Sequence, residues 1–139
     1  MGKLIGTYDF NEVIVTAAGM TGTGFADGES VTIDPDETLY ETEDGIDGTK
    51  VRSRQNYEGG IITLTLHPQS EFYQHLVEQI QIDMETGNNL INISVIDVGD
   101  SGEKTLGRDC YAEELPERTY GRDVTERELV FQASELVYK

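Results

Sequence analysis

The stretch DPDETLYETEDGIDG, residues 34–48, carries seven carboxylates: Asp34, Asp36, Glu37, Glu41, Glu43, Asp44 and Asp47. Hard oxygen donors at such density are what calcium takes as ligands. The twelve-residue calcium-loop register is not met, however. Asp34 and Asp36 are followed by Thr38 and Leu39 rather than by a third ligand and a turn glycine. A solvated acidic segment, or one that meets a partner, is the better account, and an acidic calcium-binding β-domain stays as an alternative.

Other chemistry is sparse. His67, beside Pro68, and His75 are the only histidines, and neither has Cys or Glu at a zinc-like spacing. Cys110 is the only cysteine, so no intrachain disulfide and no cysteine metal cluster can form. Its one basic sequence neighbour is Arg108, too little to expect a reactive thiolate, and a structural cysteine is the simpler reading. No GxSxG elbow occurs, and GMTGTG (residues 19–24) follows a strand but opens no helix, so it reads as a hairpin tip and not as a phosphate loop. The expectation is a protein that is no enzyme and uses no metal or cofactor.

The charge distribution is lopsided. The formal net charge is −17, with 27 acidic and 10 basic residues. From Leu4 to Thr49 there are eleven acids and no Lys or Arg; the bases begin with Lys50, Arg52 and Arg54. Like charges repel within a Debye length of about 10 Å. The acids therefore face open water, or a negative cargo that must not stick, or a cation or basic surface supplied from elsewhere. The balance argues against gripping nucleic acid and against docking on an anionic membrane. The first residues, MGKLIGTYDF, form no apolar signal core and match the myristoylation pattern poorly. No run approaches the roughly 18 apolar residues of a membrane span. A protein made and kept in the cytosol, or leaving it without such a signal, is expected.

These groups must be positioned mainly by strands. YDFNEVIVT (residues 8–16), residues 29–33, residues 49–57, IITLTL, LINISVIDV (residues 90–98), residues 105–112 and residues 128–137 read as strands. In IITLTL, Ile62, Leu64 and Leu66 share one face. One helix stands out: Ser70 is an N-cap and Glu71 lies in its first turn. Phe72, Tyr73, Leu76, Val77, Ile80 and Met84 recur at helical spacing, and Gly87 and Asn88 end it. The fold class is α+β and mainly β: an antiparallel sandwich or barrel with one flanking helix, a single domain over residues 1–139. Residues 34–48 form an exposed acidic loop or extended arm on it.

In this order the segments resemble a bacteriophage tail tube protein of the contractile-tailed type. The likeness runs through GTYDFNEVIVT, the glycine-rich tip, DGIDGTKVRSRQNYEGGIITLTLHPQSEFYQHL, NNLINISVIDVGDSGEKTLGRDCYAEELPERTYGRD and the terminal ELVYK. It spans nearly the whole chain and rests on strands and turns, not on catalytic residues. The resemblance implies a fold related to type VI secretion tubes and hexameric rings stacked into a tube through which DNA passes. The partners it implies are further copies, sheath, baseplate and terminator proteins, in a virion tail assembled in host cytoplasm, with no membrane. A terminator or baseplate hub of the same fold is the alternative. On that resemblance the acids of residues 34–47 are expected to meet a basic surface of the next ring, with Lys50, Arg52 and Arg54 as candidates. Glu12, Glu58, Glu126 and Glu128 are expected to line the bore.

Overall fold

The structure is a computed structural model and describes all residues except 1, 5, 23, 26–29, 36–38, 55–58 and 124. In chain order the elements are β1 (Val13–Ala17), β2 (Met20–Thr21), β3 (Val31–Pro35), β4 (Tyr40–Asp44), β5 (Lys50–Arg54), β6 (Gly60–Leu66), α1 (Glu71–Thr86), β7 (Ile91–Asp97), β8 (Lys104–Tyr111) and β9 (Arg127–Tyr138).

The period-two pattern of β6 decides the sheet. Ile62, Leu64 and Leu66 are fully buried, while Ile61, Thr63 and Thr65 turn outward. Pairing carries that alternation across neighbours: Leu64 faces Leu129 of β9 on one side and Val31 of β3 on the other. The result is a seven-stranded sheet in the order β2-β1-β7-β8-β9-β6-β3, antiparallel throughout. The expected mainly β architecture with one flanking helix is what the chain adopts. The sheet is not closed into a barrel; β2 and β3 are its two edges.

Helix α1 covers the apolar face. Ser70 caps it through a 3.4 Å bond accepted from the Tyr73 amide, and Gly87, at φ +67°, ends it by donating to the Asp83 carbonyl at 2.7 Å. Phe72, Tyr73, Leu76, Val77 and Ile80 are buried against sheet residues including Val15, Ile93, Leu129 and Phe131. Each such side chain contributes roughly 1.5–3 kcal/mol by leaving water. Met84, expected in the same stripe, is 64% exposed, because the helix runs on past the sheet face.

Three local expectations need correction. Residues 8–12 are not strand: the Asp9 carboxylate accepts from the Asn11 amide at 2.9 Å and caps a short 3-10 turn, so β1 begins at Val13. The strand expected at residues 29–33 runs on to Pro35, which ends β3 opposite Gly60, on the sheet edge where a missing N–H costs no ladder bond. The exposed loop or extended arm expected at residues 34–48 is partly strand in its described residues. Asp34 belongs to β3, and β4 pairs with β5 in a separate two-stranded sheet.

Candidate functional site

The β4–β5 hairpin is the most exposed ordered element: all five residues of each strand face solvent. Its turn is built locally. The Asp47 carboxylate accepts from the Thr49 hydroxyl at 2.7 Å and the Thr49 amide at 3.2 Å, Gly45 donates to the Thr49 carbonyl, and Gly48 sits at φ +85°. Those Thr49 bonds, the hydroxyl first, hold the Asp47 carboxyl below the usual carboxylate range.

Register sorts the charges into two faces. Tyr40 is opposite Arg54, Thr42 opposite Arg52 and Asp44 opposite Lys50, and directly opposed residues share a face. That face holds three cations and one acid, and the Arg52 guanidinium lies 4.2 Å from the Tyr40 ring centroid. The other face pairs Glu41 with Ser53 and Glu43 with Val51: two acids and no base. Acids of the expected arm and their candidate basic partners are thereby placed on one element. Lys50, Arg52 and Arg54 lie on the same hairpin as Glu41, Glu43, Asp44 and Asp47, because a strand of alternating bases pairs back onto the acidic one. Asp36 and Glu37 lie outside the described residues, and Asp34 stands apart on β3.

The sheet face turned away from the helix is the second surface. Outward positions of β3, β6 and the first half of β9 include Thr32, Asp34, Thr63, Thr65, Glu128 and Gln132, and no Lys or Arg. Glu128 shares a cleft over this face with Glu113, Glu114 and Glu117. Nothing in the local pattern marks those three, because they lie between strands. Glu12 and Glu126 are not strand-borne as expected: the first is in the 3-10 turn, the second precedes β9, and both are exposed. Glu58 lies outside the described residues.

The remaining chemical candidates have structural posts. The His75 imidazole reaches the Ala18 carbonyl at 3.1 Å and ties α1 to the β1–β2 turn. The His67 amide donates to the Gly24 carbonyl at 3.0 Å, and among the described residues no partner reaches its buried Nδ1. Among the described residues no three His, Cys, Asp or Glu side chains come together as metal ligands. One spacing not noted from the sequence, Ser101-x-x-Lys104, occurs in the β7–β8 turn. There the Ser101 hydroxyl donates to the Asp97 carboxylate, and Lys104 opens β8 with its main chain paired to Lys139.

Cys110 is fully buried where β8 bulges around Asp109, which takes φ +51°. Burial pushes its thiol up to about 11, with a smaller rise from the Asp109 charge. Arg108 is turned to Glu135 at 3.8 Å in an exposed pair. At pH 8 the thiolate fraction is then about one thousandth. The folded protein is expected to leave a chromogenic disulfide reagent unreacted for hours at pH 8, and denatured chain to react within minutes. Prompt stoichiometric reaction of the folded protein would contradict this environment.

No protein-family model and no curated sequence matches the chain. Solved structures do. The anti-feeding prophage cap, a tube-terminating cap, superposes with TM-score 0.64 at 10% identity, over 99% of this chain and 95% of its own. The sheath/tube terminator of the PVC extracellular contractile injection system gives 0.64 at 13%, over 96% of both chains. A chain of the PVC sheath-tube complex gives 0.60 at 13%, over 92% of this chain and 88% of its own. The fold is that of contractile-system tube and terminator assemblies. The resemblance drawn from the sequence pointed at the tube subunit; the likeness in structure covers caps and terminators as fully, so it reaches the contractile-tail fold and not one station within it.

Proposed function

We propose that this chain is a structural subunit of a contractile-type tail, forming rings that stack into the tail tube. The observation that carries this reading is the two-faced hairpin. An isolated two-stranded hairpin is marginal in water, and this one exposes Tyr40, Val51 and Leu39 along with its charges. Opposite charges on its two faces make it suited to a head-to-tail contact between copies, and such heterologous contacts propagate into rings or filaments. The two sheet edges offer main-chain pairing within a ring. The fold shared with tube and terminator assemblies supports the same reading.

In this reading the outward face of β3, β6 and β9 lines the bore. Its threonines, Asp34, Glu128 and the neighbouring Glu113, Glu114 and Glu117 give DNA phosphates nothing to hold, so genome slides and does not bind. Hexameric rings, with sheath and baseplate around them, are what the family resemblance adds.

A terminator is the second reading, favoured by the slightly higher TM-scores and fuller coverage of the cap and terminator chains. Negative-stain microscopy of purified protein separates the two. Stacked rings of varying length support the tube subunit, and single rings that never stack support the terminator. A dispersed monomer at every concentration tested would remove both.

A further inference from the structure

A cleft of about 570 Å³ opens between the start of α1 and the segment leading into β9, lined by Tyr73, Arg118, Tyr120, Arg122, Thr125 and Arg127 among others. Three of the ten basic residues of a −17 chain thus gather at one place. Arg127 is the unusual one, with 2% exposure. Its Nη1 donates to the Thr125 hydroxyl at 2.7 Å and to the Glu126 carbonyl at 3.1 Å, and the Tyr120 ring centroid lies 5.2 Å from its guanidinium carbon. The Thr125 hydroxyl is itself turned by donating to the Thr119 carbonyl at 2.5 Å, which leaves its lone pairs for Arg127. Among the described residues the Arg127 Nε has no partner, and no carboxylate stands within 4.0 Å of this guanidinium. Asp123 lines the same cleft and forms no ion pair among the described residues.

The tyrosines add to this polarity. Among the described residues the buried Tyr73 hydroxyl has no well-formed hydrogen bond. The Arg118 guanidinium is its neighbour, and that contact, followed by Tyr120, raises the already high Arg118 value. A buried guanidinium is strongly destabilising unless an anion meets it, and the planar fork of arginine suits a carboxylate. The cleft therefore combines a buried cation lacking a counter-ion with two further cations at its mouth.

We propose that this cleft is a carboxylate-accepting site, filled by the Glu41/Glu43 face of the β4–β5 hairpin of a second copy. The hairpin supplies what the cleft lacks. Glu41 and Glu43 project from one strand about 7 Å apart, and the residues opposite them, Ser53 and Val51, neutralise neither. Joining the two surfaces removes one uncompensated pair of acids and one uncompensated cluster of bases together. The pairing rests on the self-assembly reading above and supplies the acceptor that reading leaves unnamed.

A charge swap tests it. Arg118→Glu/Arg122→Glu and Glu41→Arg/Glu43→Arg change exposed side chains, so each variant should fold, which circular dichroism checks. Sedimentation velocity should show self-association weakened at least tenfold in either variant alone and recovered in their equimolar mixture. Wild-type association by either variant, or a mixture no better than its parts, overturns the proposal. In a second arm, dispersed wild-type protein is titrated by NMR with the peptide LYETEDG and, separately, with inorganic phosphate. Peptide binding that Arg118→Gln/Arg122→Gln weakens at least tenfold supports the site. Phosphate binding without peptide binding, or no binding of either, overturns it. If wild-type protein never associates, the self-assembly reading fails on its own, and the peptide arm still decides the cleft.

Discussion

Replacing residues 36–59 by a turn of two to four residues is expected to leave a folded, soluble protein that no longer assembles. The structural half of this expectation follows from register. Pro35 and Gly60 are paired Cα partners at the end of the β3–β6 ladder, so the two chain ends left by the excision are already adjacent. Among the described residues, none of the buried core lies in the excised segment. Shortening the connection also lowers the closure entropy, by roughly 0.6 kcal/mol for each halving of length. The melting temperature should stay within a few degrees of the parent or rise. The functional half follows from the hairpin holding both charged faces. Its loss should weaken association on the order of a hundredfold or more, as removal of a central anchor does. Sedimentation and electron microscopy on the excised chain read both halves. Rings and tubes of ordinary form would remove the hairpin from the assembly surface, whereas an unfolded chain would mean that the hairpin supports the core.

How far the sequence exposes this architecture depends on where burial occurs. β6 and α1 are readable because their periods of two and 3.6 both end in a core: Leu64 and Phe72 are each fully buried. Of the β4–β5 hairpin, β5 falls within residues 49–57, which read as strand, but its partner β4 leaves no such trace. YETED and KVRSR are exposed on both faces, so nothing alternates between apolar and polar. The turn residues Gly45, Asp47 and Gly48 point to a reversal before β5, and those also fit a loop. The start of β1 misleads for a related reason: YDFNEVIVT has strand-like composition, but the Asp9 side chain competes for the backbone and winds residues 10–12 into a turn.

The candidate surfaces divide in the same way. That Asp34, Glu41, Glu43, Asp44 and Asp47 face outward is plain from their composition. Which of them share a face is not, because it hangs on register, and a slip of one residue would move Glu41 and Glu43 onto the face of the arginines. The arginine-lined cleft is further from view. Tyr73 is on the helix, and Arg118 to Arg127 lie beyond two more strands, so only the folded chain brings them to one wall. Arg127 even occupies an inward position of β9, in phase with Leu129, Phe131 and Ala133, where an alternating pattern calls for an apolar side chain. That departure from the pattern was the one local sign of it.

Phe72→Ala is expected to cost about 3–5 kcal/mol of stability, the range for removing a fully buried aromatic side chain. Phe72 is 0% exposed in the first turn of α1, and its ring centroid lies 6.0 Å from that of Phe25, which in turn meets Phe10 edge-on at 5.8 Å. Its loss therefore leaves a cavity under the helix and also undercuts the rings that hold residues 10–12 against the body. Two measurements follow. The urea midpoint should fall by the equivalent of several kcal/mol, measured where the chain is dispersed, since association would add concentration-dependent stability. Limited proteolysis should cut the N-terminal segment faster than in the parent. Met84→Ala, on the same helix but with its side chain in solvent, should stay within about 0.5 kcal/mol. The contrast is what discriminates. Equal small losses at both positions would mean that the helix does not seat its first turn in the core. Equal large losses would mean that the far end of the helix is buried too, against a surface of another copy.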